Sequence, residues 1–169
     1  MHIELQKWSQ EKKADLIKIC NEADRSWLSN RLPFPYTEKD ADRWLKTVSE
    51  QDGKEGIFRA VVADGKVVGN VTAERESDVY CKDCIIGYLL LPEYWSKGIM
   101  TEAVRQICKL VFDELDVARI TGRVCAPNIA SRKVLEKNGF VREGIQKKAV
   151  FKNGEIHDLF LYGKLKTDD

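Results

Sequence analysis

The residues with the clearest capacity for chemistry lie in one stretch, Gly87-Tyr-Leu-Leu-Leu-Pro-Glu-Tyr-Trp-Ser-Lys-Gly98-Ile-Met-Thr101-Glu-Ala103. An apolar run ends at Pro92, a short loop carries Gly98, and a helical periodicity follows. A helix that starts at the end of a buried strand presents unpaired backbone N–H groups and a partial positive charge of about half an elementary charge, which suits a phosphate. Gly98 permits close approach. A plain strand-to-helix turn has the same spacing, since loops of this length are common, so spacing alone does not decide. Asn128, after a proline at a second helix start, is first of all a cap, and Ser131 one turn later is of a type that often bonds its own backbone. Cys81-Lys-Asp-Cys84 has knuckle spacing but supplies half of a four-ligand zinc site, and no second CxxC or His pair follows. No metal centre is expected, and both cysteines read as reduced surface thiols.

These residues need a frame. Ser9 is placed to cap a helix with Leu16, Ile19, Cys20, Ala23 and Trp27 on one face, at the 3.6-residue period. Arg31-Leu-Pro-Phe-Pro-Tyr36 cannot continue it through two prolines, and Thr37 with Asp40 resembles a capping box before a helix bearing Ala41, Trp44, Leu45 and Val48. Phe58–Ala63 and Val67–Ala73 read as strands joined by Asp64-Gly65, a hairpin dipeptide. Ile85–Leu91 is nearly all apolar, as for a strand covered on both faces. A helix with Val104, Ile107, Cys108, Val111 and Leu115 follows the glycine loop, then a strand from Ala118 to Val124. Asn128 opens a helix ending at Asn138-Gly139. Val141–Lys152 turns at Asn153-Gly154 and returns as Ile156–Leu165, a type I′ hairpin.

The chain has 169 residues with 28 Lys+Arg against 27 Asp+Glu and is 43% hydrophobic, which fits one globular domain spanning residues 1–169. The balanced charge gives no bulk electrostatic case for a nucleic-acid or membrane partner. No apolar run reaches signal-peptide or membrane-span length, so a cytoplasmic protein is expected. Five cysteines form an odd set, with Cys108 and Cys125 in apolar surroundings that suggest buried thiols, which argues against a disulfide scaffold.

The glycine loop, followed by Asn128-Ile-Ala-Ser131-Arg-Lys-Val-Leu-Glu-Lys-Asn-Gly139-Phe140, resembles the two cofactor motifs of the GNAT superfamily of acyl-CoA N-acyltransferases. Leu32-Pro-Phe-Pro-Tyr36-Thr, Pro92-Glu-Tyr-Trp-Ser-Lys-Gly98 and Asp158-Leu-Phe-Leu-Tyr162 are similar to its RimJ/RimL-like branch, which acetylates N-terminal α-amines of ribosomal proteins. The resemblance implies an α/β fold with a mixed, mostly antiparallel sheet of about seven strands, helices on both faces and a V-shaped splay. It implies acetyl-CoA as donor, its pantetheine along Leu89, Leu90 and Leu91 and its pyrophosphate on the amides of Ser96, Lys97, Gly98, Ile99, Met100 and Thr101, with Lys97 adding a point charge. Met100 stands where the superfamily has a small residue, and Trp95 where it has Gln or Arg.

The same resemblance implies direct attack by a neutral amine on the thioester, with the N–H of Leu90 or Leu91 serving the oxyanion. Many members protonate the thiolate with a tyrosine on the last helix, where this chain has Leu135; the branch instead places a serine three residues after the asparagine, here Ser131 after Asn128. The branch's glutamates fall on Ile85 and Val150, which leaves Asp158, His157, Glu74 or a water relay as the base, Asp158 being favoured. Phe34 and Tyr36 are candidates for the acceptor cleft, while Trp44 is expected to pack. The acceptor is a protein N-terminus or a small amine such as a polyamine, an aminoglycoside or an amino acid. A non-catalytic acyl-CoA-binding module is the other reading, and a homodimer is expected on symmetry grounds.

Overall fold

The computed structural model describes residues 1–168. The chain runs β1 (Ile3–Lys7), α1 (Lys13–Glu22), α2 (Glu38–Gln51), β2 (Gly56–Ala63), β3 (Lys66–Arg75), β4 (Asp83–Leu90), α3 (Ile99–Glu114), β5 (Arg119–Cys125), α4 (Ile129–Lys137), β6 (Val141–Lys152) and β7 (Glu155–Leu165). The strands form one sheet in the order β1-β2-β3-β4-β5-β7-β6. Every neighbouring pair is antiparallel except β4 and β5.

Local sequence explains most of these elements. Thr37 and Asp40 cap α2 reciprocally, the Thr37 hydroxyl accepting from the Asp40 amide and the Asp40 carboxylate accepting from the Thr37 amide. Asp64-Gly65 and Asn153-Gly154 take positive φ at both positions, the type I′ geometry that matches strand twist. α1 is shorter than its periodicity suggests. Ser9 makes no side-chain cap and precedes a 3-10 turn at Gln10–Lys12; the helix stops at Glu22, so Trp27 belongs to the following loop. β1 was not among the expected elements because only Ile3 and Leu5 alternate in it, yet both pack on the core as it pairs with β2.

Two cores lie on opposite faces of the sheet. α3 and α4 cover one, with Ile86 and Leu90 of β4 beneath them. α1 and α2 cover the other, where Leu91, Phe58 and Tyr36 are buried. α3 buries Ile99, Met100, Val104, Ile107, Val111 and Phe112, at roughly 1.5–3 kcal/mol for each large apolar side chain, so the helix is held firmly against the sheet. Burial of β4 is one-sided: Gly87 is exposed and Ile85 and Leu89 are only partly covered. Cys84 is fully buried on this strand, which corrects the expectation of two surface thiols; only Cys81 is exposed. Cys108 is buried, whereas Cys125 is partly exposed.

Candidate active site

The single parallel pairing of the sheet is short. β4 and β5 pair only at Asp83–Arg119, Cys84–Ile120 and Ile85–Thr121, and then part. The ladder between β3 and β4 decides which backbone groups the parting leaves open. Its hydrogen-bonded pairs are marked at the ends by Leu91 N–H donating to Val68 O at 3.0 Å and Glu76 N–H donating to Asp83 O at 2.9 Å. With the observed register, alternation assigns Ile85, Gly87 and Leu89 to β3 as well, so the N–H groups of Tyr88 and Leu90 point into the splay. The amides of Leu89 and Leu91 therefore face away from it, and the Leu91 N–H, one of two expected oxyanion donors, is already used.

At the end of the splay, α3 begins without a side-chain cap. Gly98 sits at the N-cap with φ 75°, and the first helical bond is Glu102 N–H to Gly98 O at 3.1 Å, leaving the amides of Ile99, Met100 and Thr101 without helical partners. Ser96 also has positive φ, so the loop curls its backbone around this helix start. Glu102 would disfavour an anion here, but its carboxylate is turned along the helix to Arg105 at 2.6 Å and Gln106 at 2.8 Å, partners that hold its pKa down at about 2. Met100 buries its side chain in the core, only 7% exposed, so its bulk lies away from the cradle. Trp95 donates its indole N–H to Leu90 O at 2.9 Å, closing a carbonyl that the splay would leave open. Lys97 is directed elsewhere: its ammonium donates to Glu93 O at 2.8 Å and rests over the Tyr94 ring. Lys133 and Lys137, one turn apart on α4, line the cleft instead.

Across the splay, β4 and α4 bring two hydroxyls together. The Tyr88 hydroxyl lies 2.7 Å from Ser131 Oγ, and it also donates to Ser131 O at 3.2 Å. Burial pushes the Tyr88 hydroxyl up to about 12, so it stays protonated at neutral pH. Asn128 caps α4 by accepting from the Ser131 amide at 3.4 Å through Oδ1. Ser131 thus spends its hydroxyl on Tyr88. Leu135, at the position where many superfamily members carry tyrosine, is buried at 1% exposure and packs against Gly122. Tyr88 was legible as part of an apolar strand but not as a functional residue, because its partner is 43 positions away.

These groups line one cleft of about 1180 Å³, together with Asp24, Trp27 and Leu28 from the loop after α1 and Val150, Phe151 and Lys152 from the last hairpin. Among the described lining residues Asp24 is the only carboxylate. Its Oδ1 accepts from the Ser26 amide at 2.8 Å and hydroxyl at 2.6 Å, bonds that lower its pKa. Asp158 does not line the cleft. It pins the β6 bulge, accepting from the Lys148 amide at 2.9 Å and the Lys147 ammonium at 3.2 Å, which lower its pKa and make it a poor base. His157 is 15% exposed at its side chain and packs edge-on against Trp27. Glu74 lies on β3 opposite Ile85, outside the cleft lining. Tyr36 is 5% exposed in the α1–α2 core and does not reach the cleft, because Asn21 fixes its backbone from both sides. Phe34 is exposed beneath the Arg25 guanidinium, 4.7 Å from the ring centroid, and borders a neighbouring cavity.

A sheet that parts beside an uncapped helix start, over a cleft of about 1180 Å³, has the form of an acyl-CoA-dependent acyltransferase. Comparison with known proteins narrows it. Residues 2–141 match the family described as Acetyltransferase (GNAT) domain, and the chain belongs to that family. It is 40% identical over 114 residues to "Probable N-acetyltransferase YjcK" of Bacillus subtilis, covering 68% of this chain but 62% of that protein. It is 25% identical over 152 residues to the ribosomal-protein-serine acetyltransferase of Escherichia coli, covering 87% and 83% of the two chains. The crystal structure of the ribosomal-protein-S5-alanine acetyltransferase from Vibrio fischeri matches with a TM-score of 0.80 at 27% identity over 99% of this chain and 95% of that one. The open amides at residues 88, 90 and 99–101 and the lysines of α4 fit the donor of this family, acetyl-CoA.

Proposed function

We propose that the protein transfers the acetyl group of acetyl-CoA to the N-terminal α-amine of a protein. The observation that carries the donor half is the pair of outward N–H groups at Tyr88 and Leu90, opened by a parallel pairing only three residue pairs long. The acceptor half is supported by the likeness to the two ribosomal-protein acetyltransferases.

Acetyl-CoA supplies an activated thioester whose leaving group is a thiolate. The chain supplies the rest. The amides of Gly98, Ile99, Met100 and Thr101, with Lys133 and Lys137, hold the phosphates. Leu90 N–H is the oxyanion donor, since it is fixed before the reaction and needs no reorganisation. The Tyr88 and Ser131 hydroxyls, 2.7 Å apart, act on the departing sulfur as a pair: one turns its O–H to the thiolate and the other supports it as hydrogen-bond partner, both keep their protons, and the thiolate takes its proton from water; with its raised pKa Tyr88 cannot act as a base near neutrality. Asn128 keeps its side-chain NH2 for the pantetheine, its Oδ1 being used as the cap. No buried carboxylate stands in the described cleft lining, so the acceptor must arrive neutral and its proton leaves to water at the mouth.

Incubation with acetyl-CoA and a panel of N-terminal peptides, spermidine, an aminoglycoside and free amino acids, followed by thiol release and mass spectrometry, tests this. Acetylation confined to peptide α-amines is the expected result. Turnover only on small amines, or cofactor binding with no turnover, overturns it.

A further inference from the structure

The three residue pairs that join β4 to β5 carry different chemistry on the two faces of the sheet. On the face of α3 and α4, Cys84 and Ile120 are fully buried in the core. The opposite face is polar. There the Thr121 hydroxyl donates to Asp83 Oδ2 at 2.7 Å and accepts from Arg119 Nε at 3.1 Å, so one side chain of β4 and two of β5 form a connected set. Arg119 Nε is 3.7 Å from the same carboxylate oxygen, and its outer nitrogens reach Glu143 of β6. Gly163 of β7, opposite Thr121, leaves room for that arm, since an added Cβ would fall on the Arg119 guanidinium and the Glu143 carboxylate.

This set is not free of cost. Asp83 Oδ1 is buried without a hydrogen-bond partner, and burial pushes the Asp83 carboxyl up against the opposing pull of Thr121 and Arg119. Strand pairing alone does not call for it, because apolar side chains serve parallel strands at least as well. Its place in the fold gives the reason. Ile85–Thr121 is the last pair, and Gly87 of β4 with Gly122 and Arg123 of β5 already line the cleft. On the other face at this point Leu135 of α4 fills the space over Gly122, where an added Cβ would lie 2.6 Å from Leu135 Cδ1 and 3.7 Å from Ile86 Cγ2. A polar tie thus closes one face of the sheet just before the strands part, and an apolar side chain occupies the other face just after.

We infer that Thr121 and Asp83 are positioning residues that fix the closed end of the splay, so that the strands part after Ile85 and leave the Tyr88 and Leu90 amides open to coenzyme A. The inference rests on the reading that the donor lies between β4 and β5. Neither residue lines the cleft, so their effect on the donor travels through the strands. A parallel ladder of three pairs is short and its slanted bonds are slightly weaker than antiparallel ones, which gives side chains that cross it a large say in where it ends. Without the tie the pairing frays before Ile85 or creeps past it, and part of the coenzyme A binding free energy goes into restoring the opening.

The test compares Thr121→Val, Thr121→Ser and Asp83→Asn with Val48→Ala, a change in the buried face of α2 away from the cleft lining. Coenzyme A affinity is measured by calorimetry and Tm by circular dichroism for each, and amide exchange at Tyr88 and Leu90 for the wild type with and without coenzyme A. Thr121→Val keeps the shape and removes the hydroxyl, and should weaken coenzyme A about tenfold, the size of one hydrogen bond to a charged group. Thr121→Ser puts the hydroxyl back and should return the affinity to within about twofold of the wild type. Asp83→Asn keeps an acceptor for Thr121 but loses the charge facing Arg119, for a loss of about fivefold, the difference between a charged and a neutral acceptor. Val48→Ala should lower Tm at least as far as Thr121→Val while changing the affinity by less than about twofold. Unchanged affinity in Thr121→Val or Asp83→Asn, or a serine variant as weak as the valine one, overturns the inference while the placing of the donor stands. An affinity loss in Val48→Ala equal to that in Thr121→Val also overturns it, since any loss of stability would then have the same effect. Coenzyme A that binds the wild type without protecting Tyr88 and Leu90 overturns the inference together with the reading on which it rests.

Discussion

Replacing Tyr88 by Phe removes one hydroxyl from the splay and leaves its ring packed. kcat is expected to fall by about 10²-fold, the scale of one proton-transfer or leaving-group contact, with the coenzyme A dissociation constant changed less than threefold; calorimetry beside steady-state kinetics separates the two. Ser131→Ala should give the same pattern, and the double variant should be little worse than either single one, because the hydroxyls work as a unit. Equal losses in kcat and in cofactor affinity would assign the pair to binding alone. The raised Tyr88 pKa has a stability consequence with a definite sign. Its folded value lies above the ordinary one, so the group's contribution is complete below about pH 10 and is lost as pH rises through about 12. Alkaline unfolding curves of the wild type should therefore steepen over that window relative to Tyr88→Phe. Gly98→Ala acts through the backbone: the φ of 75° costs a side chain about 1 kcal/mol, and a Cβ there has open space in the free protein but sits in the phosphate cradle. Weaker coenzyme A binding with only a small drop in Tm is expected.

At the scale of elements, the fold was legible wherever a local signal was strong. The Thr37–Asp40 box, both type I′ dipeptides and the Asn138-Gly139 stop sit where short-range chemistry placed them. The misses share a cause, since each depends on contacts distant in sequence. β1 has two apolar residues and is a strand only because β2 pairs with it, and Trp27 keeps the periodicity of α1 but is drawn off to His157, 130 positions away. The site divides in the same way. The glycine loop and Asn128 could be read directly, whereas the Tyr88–Ser131 pair, the orientation of the Leu90 and Leu91 amides and the burial of Tyr36 required the sheet register and the helix packing. One substitution tests how closely β4 is held. A Cβ at Gly69 on β3 would lie 2.6 Å from Leu89 O, a backbone atom with no easy retreat. Gly69→Ala is expected to cost about 1–3 kcal/mol and to lower Tm by roughly 2–10 °C, while weakening coenzyme A binding because β4 must move. Unchanged stability and affinity would show that the strand gives way freely.

For the whole molecule, the sheet parts between β4 and β5, and a ligand that fills this opening should tighten what surrounds it. At a donor concentration near 100 times its dissociation constant, linkage gives about 2.7 kcal/mol, which for a chain of this length is a Tm rise of roughly 5–10 °C. With no buried carboxylate among the described residues of the cleft lining, the acceptor's own pKa should govern the rate. With a peptide α-amine, kcat/KM should climb tenfold per pH unit and level off near pH 8, the ordinary range of that group; a plateau well below the free amine's pKa would reveal a base in the protein. The most direct measurement is amide hydrogen exchange by NMR with and without coenzyme A. The amides of Tyr88, Leu90 and residues 99–101 should exchange readily in the free protein and become protected on binding, while those of Leu89 and Leu91 stay protected in both states. Coenzyme A bound with no new protection at Tyr88 and Leu90, or with the change falling on Leu89 and Leu91, would contradict it.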